Sequence, residues 1–188
     1  MRLYLFSLLG IALIAGRAAS APAPAWTVDK AGSSVRFSST MNGQAFSGAF
    51  RRWDAQIRFD PADLAGSSVT ANIDVASAAT GDADRDQALP TPTFFSAAKF
   101  PRAVFSAAQF KSLGGGHYLA IGQLAMRGVA KPLTLPFTLA ITGARATMTA
   151  SLALNRLAFG VGQDEWKSTD VLPANVTVVI AIAATRAR

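Results

Sequence analysis

Cysteine is absent from the chain, and histidine occurs once, as His117. The first absence excludes disulfide scaffolds, thiolate zinc sites, iron–sulfur clusters and cysteine nucleophiles. The second excludes bis-histidine haem ligation and any multi-histidine metal centre. Acidic residues are missing from one long stretch. None stands between Asp86 and Asp164, where Lys99, Arg102, Lys111, Arg127, Lys131, Arg145 and Arg156 all lie. Such a segment either draws the protein to anionic lipid or phosphate surfaces or forms a solvated basic face. Dense basic clusters are lacking, so nucleic acid is not an expected partner. What survives is a binding protein, or an enzyme built from carboxylates and hydroxyls.

An apolar run long enough to span a bilayer is missing too. The longest candidate, residues 3–15, is 13 residues long. At about 1.5 Å per residue a helix there reaches only about 20 Å, against a hydrocarbon core of about 30 Å. Arg2 precedes the run and Ala18-Ala19-Ser20-Ala21 follows it. That layout predicts a secretory signal peptide over residues 1–20, cut before Ala21 or as late as before Trp26, and a periplasmic mature protein. Its loss removes Arg2 and Arg17 and leaves 16 basic against 11 acidic residues. The 188 residues of the whole chain suit one ordinary domain.

What is present is alternation. Apolar and polar residues alternate without a break over residues 53–60, and Val69, Ala71, Ile73 and Val75 share one face. Leu133, Leu135, Phe137, Leu139 and Ile141 repeat the pattern, as do Met148, Ala150, Leu152 and Leu154. Further candidate strands include Val35 and Phe37, Ala103 and Phe105, 118–126 and 176–184. Ala31-Gly32-Ser33, Asp60-Pro61, Gly114-Gly115-Gly116, Gly143 and Pro173-Ala174-Asn175 read as turns between them. Helix is scarce: Asp82 can cap residues 82–89 before Pro90 and Pro92, and a short turn fits 94–97. Eight or so antiparallel strands must stack as a sandwich or close as a barrel. Small inward positions (Ala55, Ala71, Ala120, Gly122, Ala150) and 12 Phe favour a hollow interior, but alternation alone does not exclude a filled one. Pro136 predicts an edge or a bulge in its strand.

The candidate catalytic and metal motifs dissolve on inspection. Asp82-x-Asp84-x-Asp86 opens like a calcium loop, but Gln87 and Thr93 stand where such a loop needs Gly and Glu. It reads instead as an acidic helix start, with Arg85 and Asp86 tying the helix to the rim. His117 follows three glycines and reads as a solvated hairpin residue. Gly-x-Ser-x-Gly is absent. The adjacent acids Asp164 and Glu165 point to opposite sides of an extended segment, which rules out a facing carboxylate pair. Gly160-Val161-Gly162 lacks the third glycine of a dinucleotide loop and reads as a close backbone approach. No catalytic residue and no metal ligand is assigned.

Several stretches, in order, resemble the YceI family of exported lipid-binding proteins. They include Trp26-Thr27-Val28-Asp29, Gly48-Ala49-Phe50, Arg85-Asp86-Gln87-Ala88-Leu89, Phe100-Pro101-Arg102-Ala103-Val104-Phe105 and Asn155-Arg156-Leu157-Ala158-Phe159-Gly160-Val161-Gly162. The resemblance covers residues 26–188 and implies an all-β, lipocalin-like antiparallel barrel of about eight strands, closed by one or two short helices. It implies a non-enzymatic carrier with an elongated apolar cavity, no cofactor, and a non-covalently held polyisoprenoid lipid or quinone. Alternation then nominates Phe37, Phe50, Trp53, Ile57, Phe59, Ile73, Phe105, Leu124, Phe137, Leu152 and Phe159 as lining residues, with Phe94 and Phe95 under the lid. Lys99, Arg102, Lys111 and Arg127 are the expected contacts to an anionic membrane surface. The ending 162–171 is similar to the branch associated with membrane cytochromes. An exposed Trp166 flanked by charge would serve contact with such a partner, and homodimerisation is left open.

Overall fold

Strand alternation closes into a ring. The computed structural model describes residues 22–187, so the expected signal peptide at 1–20 lies outside the described residues. Ten strands follow in chain order: β1 (Ala25–Met41), β2 (Gln44–Phe50), β3 (Trp53–Arg58), β4 (Ser68–Asp74), β5 (Ala78–Ala79), β6 (Arg102–Gly114), β7 (His117–Met126), β8 (Val129–Thr142), β9 (Arg145–Asn155) and β10 (Asn175–Arg186). Helix α1 (Ala83–Ala88) sits between β5 and β6. Every pairing is antiparallel, and β10 returns to β1, so that β1, β3, β4, β6, β7, β8, β9 and β10 form the closed barrel. Closure removes the free edges that an open sheet leaves for aggregation. The remaining strands, β2 and β5, lie outside this ring, β2 pairing with the later half of β1 and β5 with β2.

The first strand differs from the sequence expectation. Ala31-Gly32-Ser33 is not a turn between strands but a bulge inside β1, where the register with β10 shifts between Asp29 and Ser34. Side chains repair the interrupted ladder. The Asp29 carboxylate accepts from the Ala31 amide (3.0 Å), and the Ala183 amide donates to the Ser33 hydroxyl (2.9 Å). A bulge bends the strand and increases its twist, which lets one strand serve both β10 and the kinked β2–β3 run.

The prediction for Pro136 holds for a definite reason. The β8–β9 ladder runs from Phe137–Ala150 to Thr142–Arg145, whereas residues 129–136 of β8 pair with β7 alone. Pro136 therefore costs no hydrogen bond on the β9 side. Gly122 is explained differently from the other small residues. A Cβ there would stand 2.1 Å from the Ser106 carbonyl oxygen, beside the bulge of β6 between Ala107 and Gln109. Its missing side chain permits close approach of two backbones and adds nothing to the interior. Ala120 and Ala150 are likewise packed into the buried wall, while Ala55 and Ala71 face open space.

The two ends of the barrel are built from different material. Trp26, Phe59 and Tyr118 close one end, where the β6–β7 hairpin also lies. The opposite end is covered by two irregular segments, residues 80–101 with α1 and residues 156–174 with two short 3-10 turns. As expected, the Asp82 carboxylate caps α1 by accepting from the Arg85 amide (3.0 Å). Residues 90–100 form consecutive turns, including Phe95 N–H to Leu89 O (3.0 Å) and Ala97 N–H to Pro90 O (2.9 Å).

Candidate ligand cavity

The barrel is hollow. An internal cavity of about 550 Å³ runs from the aromatic end to the two capping segments. Its walls come from the inward members of each alternating strand. Trp53, Ile57, Ile73 and Phe105 line the β3–β4–β6 side, and Leu124, Phe137 and Leu152 line the β7–β8–β9 side. Phe37 and Phe50 meet with ring centroids 5.3 Å apart and also border the space, as do Phe94 and Phe95 beneath the cap. Phe59 closes the far end. Phe159 is the exception among the nominated residues: it is buried in the core under its 3-10 turn and is not part of the cavity wall. The alternation rule fails there because residues 156–159 leave the strand.

Other wall residues were not nominated. Met148 and Val178 obey the alternation and were legible from it. Phe110 was not, because the bulge at Ala107–Gln109 reverses the parity of β6 and turns that ring inward. Trp166 also lines the cavity, and its ring packs on Phe94 at 5.3 Å. This corrects the reading of Trp166 as an exposed interface anchor. Removing a half-buried indole from water beside a phenyl ring is favourable in itself.

Two arginines of the basic segment also have other work. Arg156 is only 4% exposed, and among the described residues no carboxylate stands within ion-pair distance of it. Its Nε donates to the Pro173 carbonyl (2.9 Å), Nη1 to Val161 (2.9 Å), and Nη2 to Leu172 (2.7 Å) and Ser168 (3.3 Å). Desolvation lowers its pKa below that of a free guanidinium, yet a guanidinium stays charged in a protein. A fixed fork of five N–H donors suits the gathering of carbonyls from a loop that has no ladder. Gly162 makes room for it, since a Cβ there would lie 2.2 Å from Nη1.

Arg127 occupies the β7–β8 turn with φ +51°, an uncommon conformation for a side-chain-bearing residue. Its Nη1 donates to the Gly160 carbonyl (2.8 Å) and its Nη2 to the Pro92 carbonyl. One side chain thus joins both capping segments. Arg127 is therefore not a free surface cation. Nor do the four nominated docking cations share a face, because Lys99 and Arg102 stand at the capped end while Lys111 is nine residues further along β6, about 30 Å away.

At the start of α1 the Asp86 carboxylate accepts from the Thr80 amide (2.6 Å), the Thr80 hydroxyl (2.7 Å) and the Gly81 amide (3.3 Å). These bonds, the Thr80 hydroxyl first, hold its pKa below the usual carboxylate value. The predicted tie between the helix and the rim is therefore made by Asp86. The Arg85 guanidinium lies over the Phe46 ring, 5.1 Å from its centre, at the cavity wall.

With this geometry in place, comparison with known proteins assigns the family. The model of the YceI-like domain matches residues 26–184. The chain belongs to the YceI-like family. The crystal structure of BcnA from Burkholderia cenocepacia is 35% identical and superposes with a TM-score of 0.81, covering 85% of this chain and all of that one. A UPF0312 protein of Yersinia pestis is 34% identical over 134 residues, 69% of each chain. A YceI-like barrel from Campylobacter jejuni, at 23% identity and TM-score 0.68, shares the fold over 75% of this chain and 85% of its own. The closed barrel is thus shared with these structures, and the cavity inside it is built by this chain's own wall residues.

Proposed function

We propose that this YceI-like protein is an exported carrier that holds a long-chain isoprenoid lipid, such as a quinone tail, in the barrel without chemical change. The observation that carries this reading is the 550 Å³ cavity lined by side chains that are almost all apolar. That volume lies within the range of small-molecule sites, about 300–1,000 Å³. A domain from Saccharophagus degradans, described as polyisoprenoid-binding, has a similar fold at 15% identity and a TM-score of 0.67. Burial of each methylene from water is worth about 0.8 kcal/mol, but a tail that starts in a bilayer gains little by moving into an apolar tunnel. The carrier is therefore near balance with the membrane, which suits reversible loading and delivery.

Export is part of the same proposal. Of the two expected cut sites, the one before Ala21 suits the barrel better. Ala23 N–H donates to the Gly66 carbonyl (3.1 Å), Phe59 N–H to Pro24 (3.1 Å) and Ala187 N–H to Ala25 (2.9 Å). A cut before Trp26 would strip all of these from the closed end.

The test is mass spectrometry of organic extracts from the purified protein, followed by quinone uptake from vesicles. A near-stoichiometric prenyl lipid is expected. Ile73→Trp and Leu152→Trp, each of which places an indole in the cavity, should abolish uptake while leaving the fold intact. Undiminished uptake by both folded variants would sink the proposal.

A further inference from the structure

The ring of strands is not laddered along its whole height. β9 pairs with β10 from Arg145 to Asn155, but with β8 only from Arg145 to Ala150. Continued in the same register, the next pair would set Pro136 against Ser151, and a later one Pro132 against Asn155. A proline has no N–H to give to a ladder. Residues 129–136 and 151–155 thus flank a seam in the barrel wall.

The seam has two definite ends. Toward the aromatic end it stops at the Phe137–Ala150 pair, where Phe137 borders both the cavity and a groove on the outer surface. Toward the capped end, Arg127 stands just before β8 and Gly160 just after β9 and its 3-10 turn. The bond from Arg127 Nη1 to the Gly160 carbonyl (2.8 Å) clasps the two strands there. Between these ends, among the described residues, no side-chain hydrogen bond or ion pair joins 129–136 to 151–155. β1 and β3 part as well, after pairing at Ala25–Arg58 and Trp26–Ile57. That gap is bolted, because the Lys30 ammonium donates to the Trp53 carbonyl and lies 3.6 Å from the centre of its ring.

The two sides of the seam suit an apolar chain. Inside, Leu133, Leu135, Leu152 and Leu154 line the cavity. Parting the strands here breaks no ladder bond, and a tail sliding between the leucines replaces the contacts that it disturbs. Outside, residues 129–136 and 151–155 hold a single charge, Lys131 beside the clasp. On the adjoining strands Ile121 and Val179 are 40% and 42% exposed. A bilayer can approach such a face with little charge to strip of water.

We propose that the seam is a lateral port: this face lies against the bilayer, and the lipid's tail passes sideways through the wall between β8 and β9. Arg127 is then the clasp of the port as well as a latch of the cap. The assignment rests on the carrier reading above.

Thr134→Cys with Ala153→Cys sets two thiols opposite each other across the seam, in a chain with no cysteine of its own. The protein is loaded with a prenyl quinone, joined by a short linker that a reductant cleaves, and mixed with phosphatidylcholine–phosphatidylglycerol vesicles. Linking should slow quinone transfer to the vesicles by about tenfold, and the reductant should restore it. The same linker on Thr138→Cys with Thr149→Cys, a laddered pair of the same strands, should leave transfer unchanged. Pro132→Val with Pro136→Val supplies the missing donors, and should slow both amide exchange within 151–155 and transfer severalfold. Full-rate transfer across the linked seam, equal slowing by both linkers, or unchanged transfer from a proline variant with protected amides overturns the port. Quinone that loads and still leaves past the linked seam overturns the port alone, whereas a wild type that takes up no quinone overturns the carrier reading itself.

Discussion

At one end of the barrel, Phe59 packs against Phe110 and Tyr118 at 5.3 Å and Phe137 at 5.9 Å, and the Trp26 indole N–H donates to the Phe59 carbonyl (2.9 Å). At the other end, Gly162 and Gln163 N–H share the Thr93 carbonyl (3.0 and 2.9 Å), and two arginines gather carbonyls from segments without ladders. The aromatic end is sealed by side-chain packing on rigid strands. The capped end is sealed by a few directional bonds onto irregular backbone. Packing is cooperative and lost all at once, whereas a bonded cap can open without unfolding the strands beneath it. The proposed carrier function assigns ligand passage to the bonded end, which opens at the lower cost.

Substitutions can break this contrast in order of severity. Phe59→Ala should cost about 4 kcal/mol, the range for a large aromatic lost from a core. Urea denaturation measures it, and the transition should remain a single step because the aromatic end unfolds with the barrel. Arg156→Met leaves its carbonyl acceptors buried without a donor and should cost about 3 kcal/mol. Here limited proteolysis should cut within 156–174 well before the strands lose structure.

Arg127→Ala sharpens the comparison, since it unlatches both capping segments without touching either cluster of the core. It should cost about 1–2 kcal/mol and speed the exchange of a bound fluorescent lipid severalfold. Phe59→Ala should not speed exchange through the cap. Acid acts on the same end. Because the folded pKa of Asp86 is depressed, its stabilisation is complete above the unfolded value of about 3.9 and is lost as the pH falls through the lower folded one. Lipid release on acidification should therefore begin below about pH 4, and Asp86→Asn should remove that dependence and release faster at neutral pH. The smallest effect concerns the surface. Lys99→Glu with Arg102→Glu should weaken salt-sensitive association with anionic vesicles, while Lys111→Glu at the closed end should leave it unchanged.

Much of the barrel was written in the pattern of side chains. A period of two fixes which face of a strand is apolar, so the pattern alone puts Ile73, Leu124, Phe137 and Leu152 on the interior, where they line the cavity. Local chemistry was equally direct at α1, where Asp82 caps a helix that Pro90 and Pro92 stop. The sequence reading failed wherever the period broke. The bulge in β6 turned Phe110 inward, and the bulge in β1 hid a continuous strand behind a turn-like Ala-Gly-Ser. Neither is visible locally, because a bulge answers to the register of its partner strand.

The amino-acid sequence by itself determined the exclusions, the strand class and the family, since these depend on which residues are present and how they alternate. Only the tertiary structure decided what the isolated charges do. Arg127 and Arg156 read identically along the chain, as cations in an acid-free segment. One latches two segments and the other organises a loop, because their partners are backbone carbonyls 12 to 35 residues away, except for Val161. Every residue carries a carbonyl, so no side-chain pattern announces which of them a buried guanidinium will find.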